Sequence, residues 1–269
     1  MDIFQAIVLG IVQGATEFIP ISSSGHLVLV PWVFGWPDPG LAFDAMLHLG
    51  TLVAVLVVFW HDFLSLAAAV WRRVAQGDVE QQQDRVAWWI ILGTIPAALM
   101  GFLWEEQFEA LFHSPLRVSV LLLVTGLWLA LAEYFGRKER QAYQLQWWES
   151  LLIGLAQGCA IAPGISRSGA TIGAGMLLGL KRDAATRFSF LLATPIIIGA
   201  GLLQIVRLLQ LPDLQASLLP LLLGFLAALF SGYGCIRLLL SYVKQRSLAA
   251  FSIYCWLAGI GTIAVYLLR

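Results

Sequence analysis

Two apolar stretches, roughly residues 3–32 and 150–180, are each broken near the middle by a polar cluster of glycine, proline and serine: QGATEFIPISSSGH in the first and PGISRSGAT in the second. The chain is 59% hydrophobic and 12% charged over 269 residues, against about 25% charged in an ordinary soluble domain. That little charge cannot cover a water-facing surface of this size, so the bilayer is the natural solvent. Irregular backbone at membrane depth is tolerated only where protein or a water-filled cavity surrounds it. Each broken stretch is therefore expected to be a re-entrant helix–turn–helix hairpin that enters and leaves on the same side.

A membrane helix needs about 20 mainly apolar residues. Six stretches qualify as full spans, at roughly 42–60, 86–104, 117–135, 188–207, 217–239 and 250–268. With the two hairpins returning to their own sides, twelve of the sixteen Lys and Arg fall in one set of loops. Arg117, Arg207 and Arg269 fall in the other, and Arg167 lies inside the second hairpin. By the positive-inside rule the twelve mark the cytoplasm, which puts both termini and the mouth of the first hairpin outside. A full span in place of either hairpin would destroy this asymmetry. Trp147 and Trp148 suit an interfacial aromatic belt. Net charge is zero, so there is no basic footprint for nucleic acid. The N-terminus lacks the positive region of a cleavable signal. Cys159, Cys235 and Cys255 have no CxxC spacing and are expected to be buried small hydrophobes.

The two broken stretches match each other at an offset of 144 residues. Gly10, Gln13, Gly14, Ile21, Ser22, Ser24 and Gly25 find identical partners in Gly154, Gln157, Gly158, Ile165, Ser166, Ser168 and Gly169. Three spans follow each motif, an odd number, so the second copy is expected upside-down relative to the first. The expected fold is all-α and integral to the membrane, with six transmembrane helices and two re-entrant hairpins. It forms a single membrane domain over 1–269, with one repeat half at 1–140 and the inverted half at 147–269. Inverted repeats bring their broken helices face to face near the midplane.

The chemistry-bearing residues sit in these breaks. A carboxylate such as Glu17 at the centre of a membrane helix costs about 2.5–3.5 kcal/mol on insertion scales, and so calls for a partner, a metal or water. Gln13, four residues earlier, shares its helix face. Together they can offer oxygens to a hard divalent cation, Mg²⁺ or Ca²⁺; a structural ion pair is the competing reading. Ser22, Ser23 and Ser24 precede Gly25 and His26. Capping the next helix accounts for one serine. A hydroxyl with an imidazole in reach suggests a nucleophile and its base, against the alternative of a satisfied interior histidine. Arg167 lies between Ser166 and Ser168, close to Gly164, Gly169 and Thr171. Its guanidinium matches phosphate oxygens, and amides at a broken helix's N-terminus add an anion cradle. Neutralising Glu17 is compatible with that role. Asp44 and His48 are better explained as a solvated helix end than as support for a site. Glu105, Glu106 and Glu109 form an acidic outer loop.

Gln13-x-x-x-Glu17 continuing through Pro20-Ile21-Ser22-Ser23-Ser24-Gly25-His26, and Pro163-Gly164-Ile165-Ser166-Arg167-Ser168-Gly169-Ala170-Thr171, closely resemble the signatures of the bacterial undecaprenyl-diphosphate phosphatase family, linked to bacitracin resistance. The resemblance extends over essentially the whole chain. It implies removal of the terminal phosphate from a C55 polyprenyl diphosphate, recycling the lipid carrier for cell-wall synthesis. It further implies a divalent cation, a bacterial cytoplasmic (inner) membrane location and a site open to the periplasmic side; a homodimer is compatible with it. By resemblance, Gln13 and Glu17 would serve the metal, and Ser23 with His26 would supply nucleophile and base. Arg167, Ser166 and Thr171 would hold the diphosphate, with Ser22, Ser24, Gly25, Ser168 and Gly169 lining it. Two rivals are weighed against this. Inverted repeats with broken helices are also transporter architecture, so a polyprenyl-phosphate flippase is an alternative, alone or combined with the phosphatase. An acid-phosphatase-like lipid phosphatase would need KxxxxxxRP and a late HxxxD, and neither is found. The expectation common to all these roles is that Glu17 and His26 meet Arg167 in one cavity.

Overall fold

A computed structural model describes the backbone of residues 2–76, 84–208 and 214–269, and the side chains within them except those of Leu41, Gln76 and residues 203–217. The outer-side loop around 209–213 and the side chain of Arg207 therefore lie outside the described residues. Twelve α-helices form and no strand does among the described residues: α1 (Ile3–Phe18), α2 (Ser23–Phe34), α3 (Leu41–Val58), α4 (Trp60–Gln76), α5 (Arg85–Leu103), α6 (Glu105–Phe112), α7 (Pro115–Phe135), α8 (Trp147–Cys159), α9 (Arg167–Leu177), α10 (Arg182–Leu208), α11 (Leu214–Tyr242) and α12 (Ala249–Leu268). Five helices are long and apolar enough to cross a membrane, and a sixth span results if α3 and α4 are taken together across their 78° bend. Outward faces carry large apolar side chains such as Phe102, Phe230 and Leu257, as lipid-facing surfaces do. The protein is a multi-pass, all-α membrane protein.

Both broken stretches are pairs of short helices, α1–α2 and α8–α9. Pro20 forces the residue before it out of the helical region, and Ile19 is extended at φ −64°, ψ 133°. The second break carries Pro163 followed by Gly164 at φ 100°, a left-handed conformation that glycine adopts without steric penalty.

Packing is reciprocal between the halves. α1 lies along α11, and α8 lies along α5. The glycines matched in sequence make these contacts. A side chain at Gly10 would collide with the Gly224 carbonyl of α11, and one at Gly154 with the Gly93 carbonyl of α5. One turn on, Gly14 abuts Ala228 and Ser231, while Gly158 abuts Ala97 and Met100. Lipid supplies no hydrophobic drive between helices, so close packing at small residues is what holds such pairs. α7 and α12, the third span of each half, also pair, with Ser252 Oγ donating to the Gly126 carbonyl at 2.5 Å and Thr262 Oγ1 to Ser119 Oγ at 2.7 Å.

Three features differ from the sequence reading. The first span ends near residue 60 as expected, but the chain continues as α4, an amphipathic helix carrying Arg72 and Arg73 and set at 78° to α3. The acidic loop is the short helix α6, with Glu105 and Glu106 exposed. Of the three free cysteines, Cys255 is buried but Cys159 is exposed, because it ends α8 where the helix gives way to the break.

Candidate active site

Glu17 stands in the last turn of α1 with its side chain 3% exposed. Four groups from four helices or turns converge on it. Gln13 Nε2, one turn earlier, donates to Oε2 at 3.0 Å. Ser23 Oγ, from the first residue of α2, donates to the same oxygen at 2.5 Å. Arg167 Nη2, from the first residue of α9, forms an ion pair with Oε1. His48 Nε2, from α3, lies 3.6 Å from Oε2. Ser23 and Arg167 occupy the same position of the two matched motifs, 144 residues apart. The two hairpins therefore deliver equivalent residues, a hydroxyl and a guanidinium, to one carboxylate. Arg167 and His48 remain 21% and 29% exposed, so the cluster is reached from outside the protein.

The helix starts explain this convergence. Ser22 caps α2, its Oγ accepting from Gly25 N at 3.3 Å. Ser166 caps α9, its Oγ accepting from Gly169 N at 3.0 Å. Each cap fixes the next residue, Ser23 or Arg167, at a helix N-terminus, where the dipole and unpaired amides favour anions. The hairpin tips also interlock: Gly164 N donates to Ser22 Oγ at 3.1 Å, and Ser168 Oγ to the Ile19 carbonyl at 3.4 Å. Gly25 is required by this closeness, since a Cβ there would press on Gly164 Cα at 3.1 Å.

The other sequence-derived residues fall into place around these. Ser24 Oγ lies 3.5 Å from Ser22 Oγ, and Ser166 Oγ 3.2 Å from Ser168 Oγ. Thr171 is buried one turn below Arg167, its Oγ1 donating to the Arg167 carbonyl at 2.8 Å and lying 2.6 Å from Ser189 Oγ. It therefore supports the helix turn that carries Arg167.

His26 is the exception to the expected convergence. Its Nδ1 lies 2.7 Å from the Ser22 carbonyl and its Nε2 2.7 Å from the Tyr254 hydroxyl of α12. The contact expected with Ser23 is replaced by these two, because His26 is three residues on from Ser23 and the α2 cap turns the imidazole back onto the cap's own carbonyl. Ser23 instead faces Glu17.

Three participants were not picked out from the sequence. His48, expected at a solvated helix end, approaches Glu17 because of how α3 packs beside α1. Tyr254 lies 228 residues from its partner. Thr125 Oγ1 donates to the Gly164 carbonyl at 2.8 Å and accepts from Ser166 N at 3.1 Å, spanning the turn before α9. Intramembrane polar residues mark functional sites by default, a signal that His48 and Thr125 both carried.

Among the described residues three buried side-chain oxygens have no hydrogen-bond partner, Gln13 Oε1, Asp44 Oδ1 and Gln157 Oε1. Gln13 Oε1 belongs to the amide whose nitrogen bonds Glu17, so an unsatisfied acceptor stands beside the carboxylate. No group of three or more His, Cys, Asp or Glu able to hold a metal occurs among the described residues.

Comparison with known proteins agrees with the motifs. The model of the family described as bacitracin resistance protein BacA matches residues 6–261. The undecaprenyl-diphosphatase of Moorella thermoacetica is 45% identical over 269 residues, covering 100% of both chains. That of Desulforudis audaxviator is also 45% identical with 100% of both chains covered, and that of Rubrobacter xylanophilus is 46% identical over 94% of each. With the match running through both hairpins and nearly every span, the chain belongs to the bacitracin resistance protein BacA family.

Proposed function

We propose that this protein hydrolyses undecaprenyl diphosphate to the monophosphate and inorganic phosphate, at the cluster where both hairpins meet Glu17. The observation that carries the reading is that single carboxylate, held at once by a hydroxyl from the first hairpin and a guanidinium from the second. Phosphoryl transfer demands mostly positioning and charge stabilisation. The prenyl tail stays among the spans and lipid while the diphosphate reaches the hairpin tips. Arg167 exchanges Glu17 for phosphate oxygens, and the N-termini of α2 and α9 add partial positive charge. Glu17, which already accepts the Ser23 hydrogen bond, is placed to take the proton of Ser23 as that hydroxyl attacks the terminal phosphorus. Phosphate then bonds to Ser23 and the bond to the bridging oxygen breaks, leaving the lipid monophosphate; water releases inorganic phosphate from the serine in a second step.

A divalent cation fits the same corner. The orphaned Gln13 Oε1 and the Glu17 carboxylate are hard oxygen donors side by side. Mg²⁺ typically takes one or two protein oxygens and completes its shell with water and substrate phosphate, which suits so sparse a donor set. Bound there, Mg²⁺ or Ca²⁺ would neutralise charge on the diphosphate.

Orientation follows from the twelve-to-three distribution of Lys and Arg together with the place of His48. It lies in the second turn of α3, at the end that the charge rule assigns outward, and is part-exposed. We therefore place the site on the periplasmic side of the bacterial inner membrane. The reciprocal packing of α1 on α11 and α8 on α5 supports an inverted repeat of the two halves. The reading is tested by phosphate release from C55 diphosphate by the purified protein in detergent. Release that falls with chelator and returns with Mg²⁺ or Ca²⁺ supports both proposals. Absence of release from the folded protein overturns the phosphatase, and release indifferent to chelator overturns the cation.

A further inference from the structure

The two nitrogens of His26 are both engaged, and neither partner is substrate. A backbone carbonyl can only accept a hydrogen bond, so the Nδ1 facing the Ser22 carbonyl at 2.7 Å carries the proton. Nε2 is then a bare acceptor, and it takes the Tyr254 O–H at 2.7 Å. The two rings are stacked at 5.7 Å with an interplanar angle of 16°, so the pair is held by both contact and hydrogen bond. His26 is buried, 8% exposed.

The carbonyl it grips belongs to an unusual residue. Ser22 has φ 71° and ψ 93°, and a non-glycine residue persists at positive φ only where its surroundings hold it. The surroundings here are specific. The Ser22 carbonyl accepts from His26 N at 3.1 Å as well as from the imidazole. The Ser22 hydroxyl accepts from Gly25 N and from Gly164 N of the opposite hairpin. Ser23 is the next residue, and the direction of its Oγ toward Glu17 follows from that turn.

We infer that Tyr254 is a positioning residue for the reaction, which through the His26 imidazole locks the Ser22 turn and so holds the Ser23 hydroxyl against Glu17. In this assignment His26 acts as a strut and not as the base for Ser23. The last helix of the second half thereby sets the nucleophile of the first. The inference rests on the phosphatase reading for its kinetic arms, and its spectroscopic arm is independent of activity.

Tyr254→Phe removes the hydroxyl and keeps the ring. A neutral hydrogen bond is worth about 0.5–1.5 kcal/mol, so kcat for phosphate release from C55 diphosphate should fall roughly 2–12-fold with KM unchanged. His26→Asn keeps a donor for the Ser22 carbonyl but has no basic nitrogen. It should retain at least about tenfold more activity than His26→Ala, whereas loss of a true general base costs about 10²–10⁴-fold in either variant. Adding Tyr254→Phe to His26→Ala should produce no further loss, because the tyrosine acts through the imidazole. In isotope-labelled histidine NMR spectra, the His26 signal, identified among the four histidines by its absence from His26→Asn, should be a pure Nδ1–H tautomer in the wild type, with the Nε2 resonance shifting in Tyr254→Phe as it loses its hydrogen-bond donor. Equal inactivity of His26→Asn and His26→Ala, a Tyr254→Phe loss that multiplies with His26→Ala, a wild-type His26 that is not the Nδ1–H tautomer, or an Nε2 resonance unchanged in Tyr254→Phe would each overturn the assignment. If the wild type releases no phosphate, the phosphatase reading fails while the tautomer measurement still decides the strut.

Discussion

Two arginine–carboxylate clusters of this protein look alike by residue type and differ in how they are closed. Where the halves join, Arg140 grips Glu149 with both arms, Nη1 to Oε1 at 2.6 Å and Nη2 to Oε2 at 2.9 Å. The rest of its fork goes to the Leu178 and Gln144 carbonyls, and Gln146 N donates to the same carboxylate at 2.7 Å. Every partner there is a fixed piece of linker or helix end. At the hairpin tips, Arg167 engages Glu17 through Nη2 alone among the described residues. The remaining contacts are a serine hydroxyl, an amide with an orphaned oxygen, and a histidine 3.6 Å away. A bidentate, fully satisfied pair is a fastener. A one-armed pair with a hydroxyl and spare acceptors can exchange partners when a diphosphate arrives, and the difference in closure separates structure from chemistry.

Substitution should expose that difference. Glu17→Gln and Arg167→Ala should each lower kcat for phosphate release by at least about 10²–10³-fold, the range for removing an aimed charge at a reacting group, and Glu17→Gln, which removes the buried charge itself, should leave the thermal unfolding midpoint in detergent little changed. Arg140→Ala should do the reverse: it strips one partner from a satisfied ion pair, costing up to about 3–5 kcal/mol where the pair is buried and less at this part-exposed site. Its midpoint should drop clearly while turnover of the still-folded fraction stays within about twofold of wild type, as expected of a residue outside the transition state. Equal loss of turnover in Arg140→Ala would erase the distinction between the clusters.

Ser23→Ala should lower kcat by about 10²-fold or more if the serine is the covalent nucleophile. Substantial residual release would assign the attack to water and leave Ser23 as a hydrogen-bond donor to Glu17. His48→Gln, which keeps a polar side chain near Glu17, should have a smaller effect, about 2–10-fold in kcat, on the scale of one hydrogen bond.

The smallest effect is expected from pH acting on the Arg140–Glu149 pair at the joint. Burial pushes the Glu149 carboxyl up, but hydrogen bonds from Arg140 and Gln146 and the arginine's charge outweigh it, leaving it below the usual value of 4.5. A group depressed in the folded state contributes stability above its unfolded pKa and loses it as pH falls through the folded one. Thermal scans below about pH 4 should therefore show wild type losing its advantage over Glu149→Gln. A difference between them that persists at low pH would remove the ion pair from the account.

Much of this architecture was legible in the residues themselves. Pro20 and Pro163-Gly164 mark the breaks because they cannot continue a helix, and the offset of 144 pairs Ser22 with Ser166. Glu17 and Arg167 stood out because a membrane tolerates neither without a purpose. What stayed hidden was direction. A histidine three residues past Ser23 is near it in sequence, yet the cap turn sends the imidazole to α12. His48 looked like a helix end because the register of α3 against α1 is set by packing between helices far apart in sequence, which local pattern does not encode. α4 was missed for a similar reason, since its mixed composition resembles a loop until packing against α5 gives its apolar face somewhere to lie.

The central claim is that a residue from each hairpin acts on one phosphoryl group at one site, and a double-mutant cycle between Ser23→Ala and Arg167→Ala, read as phosphate release from C55 diphosphate, tests it directly. Residues working as a unit give non-additive losses, so the double variant should be barely slower than the worse single one. Losses that multiply, or an Arg167→Ala variant turning over near the wild-type rate, would contradict the claim.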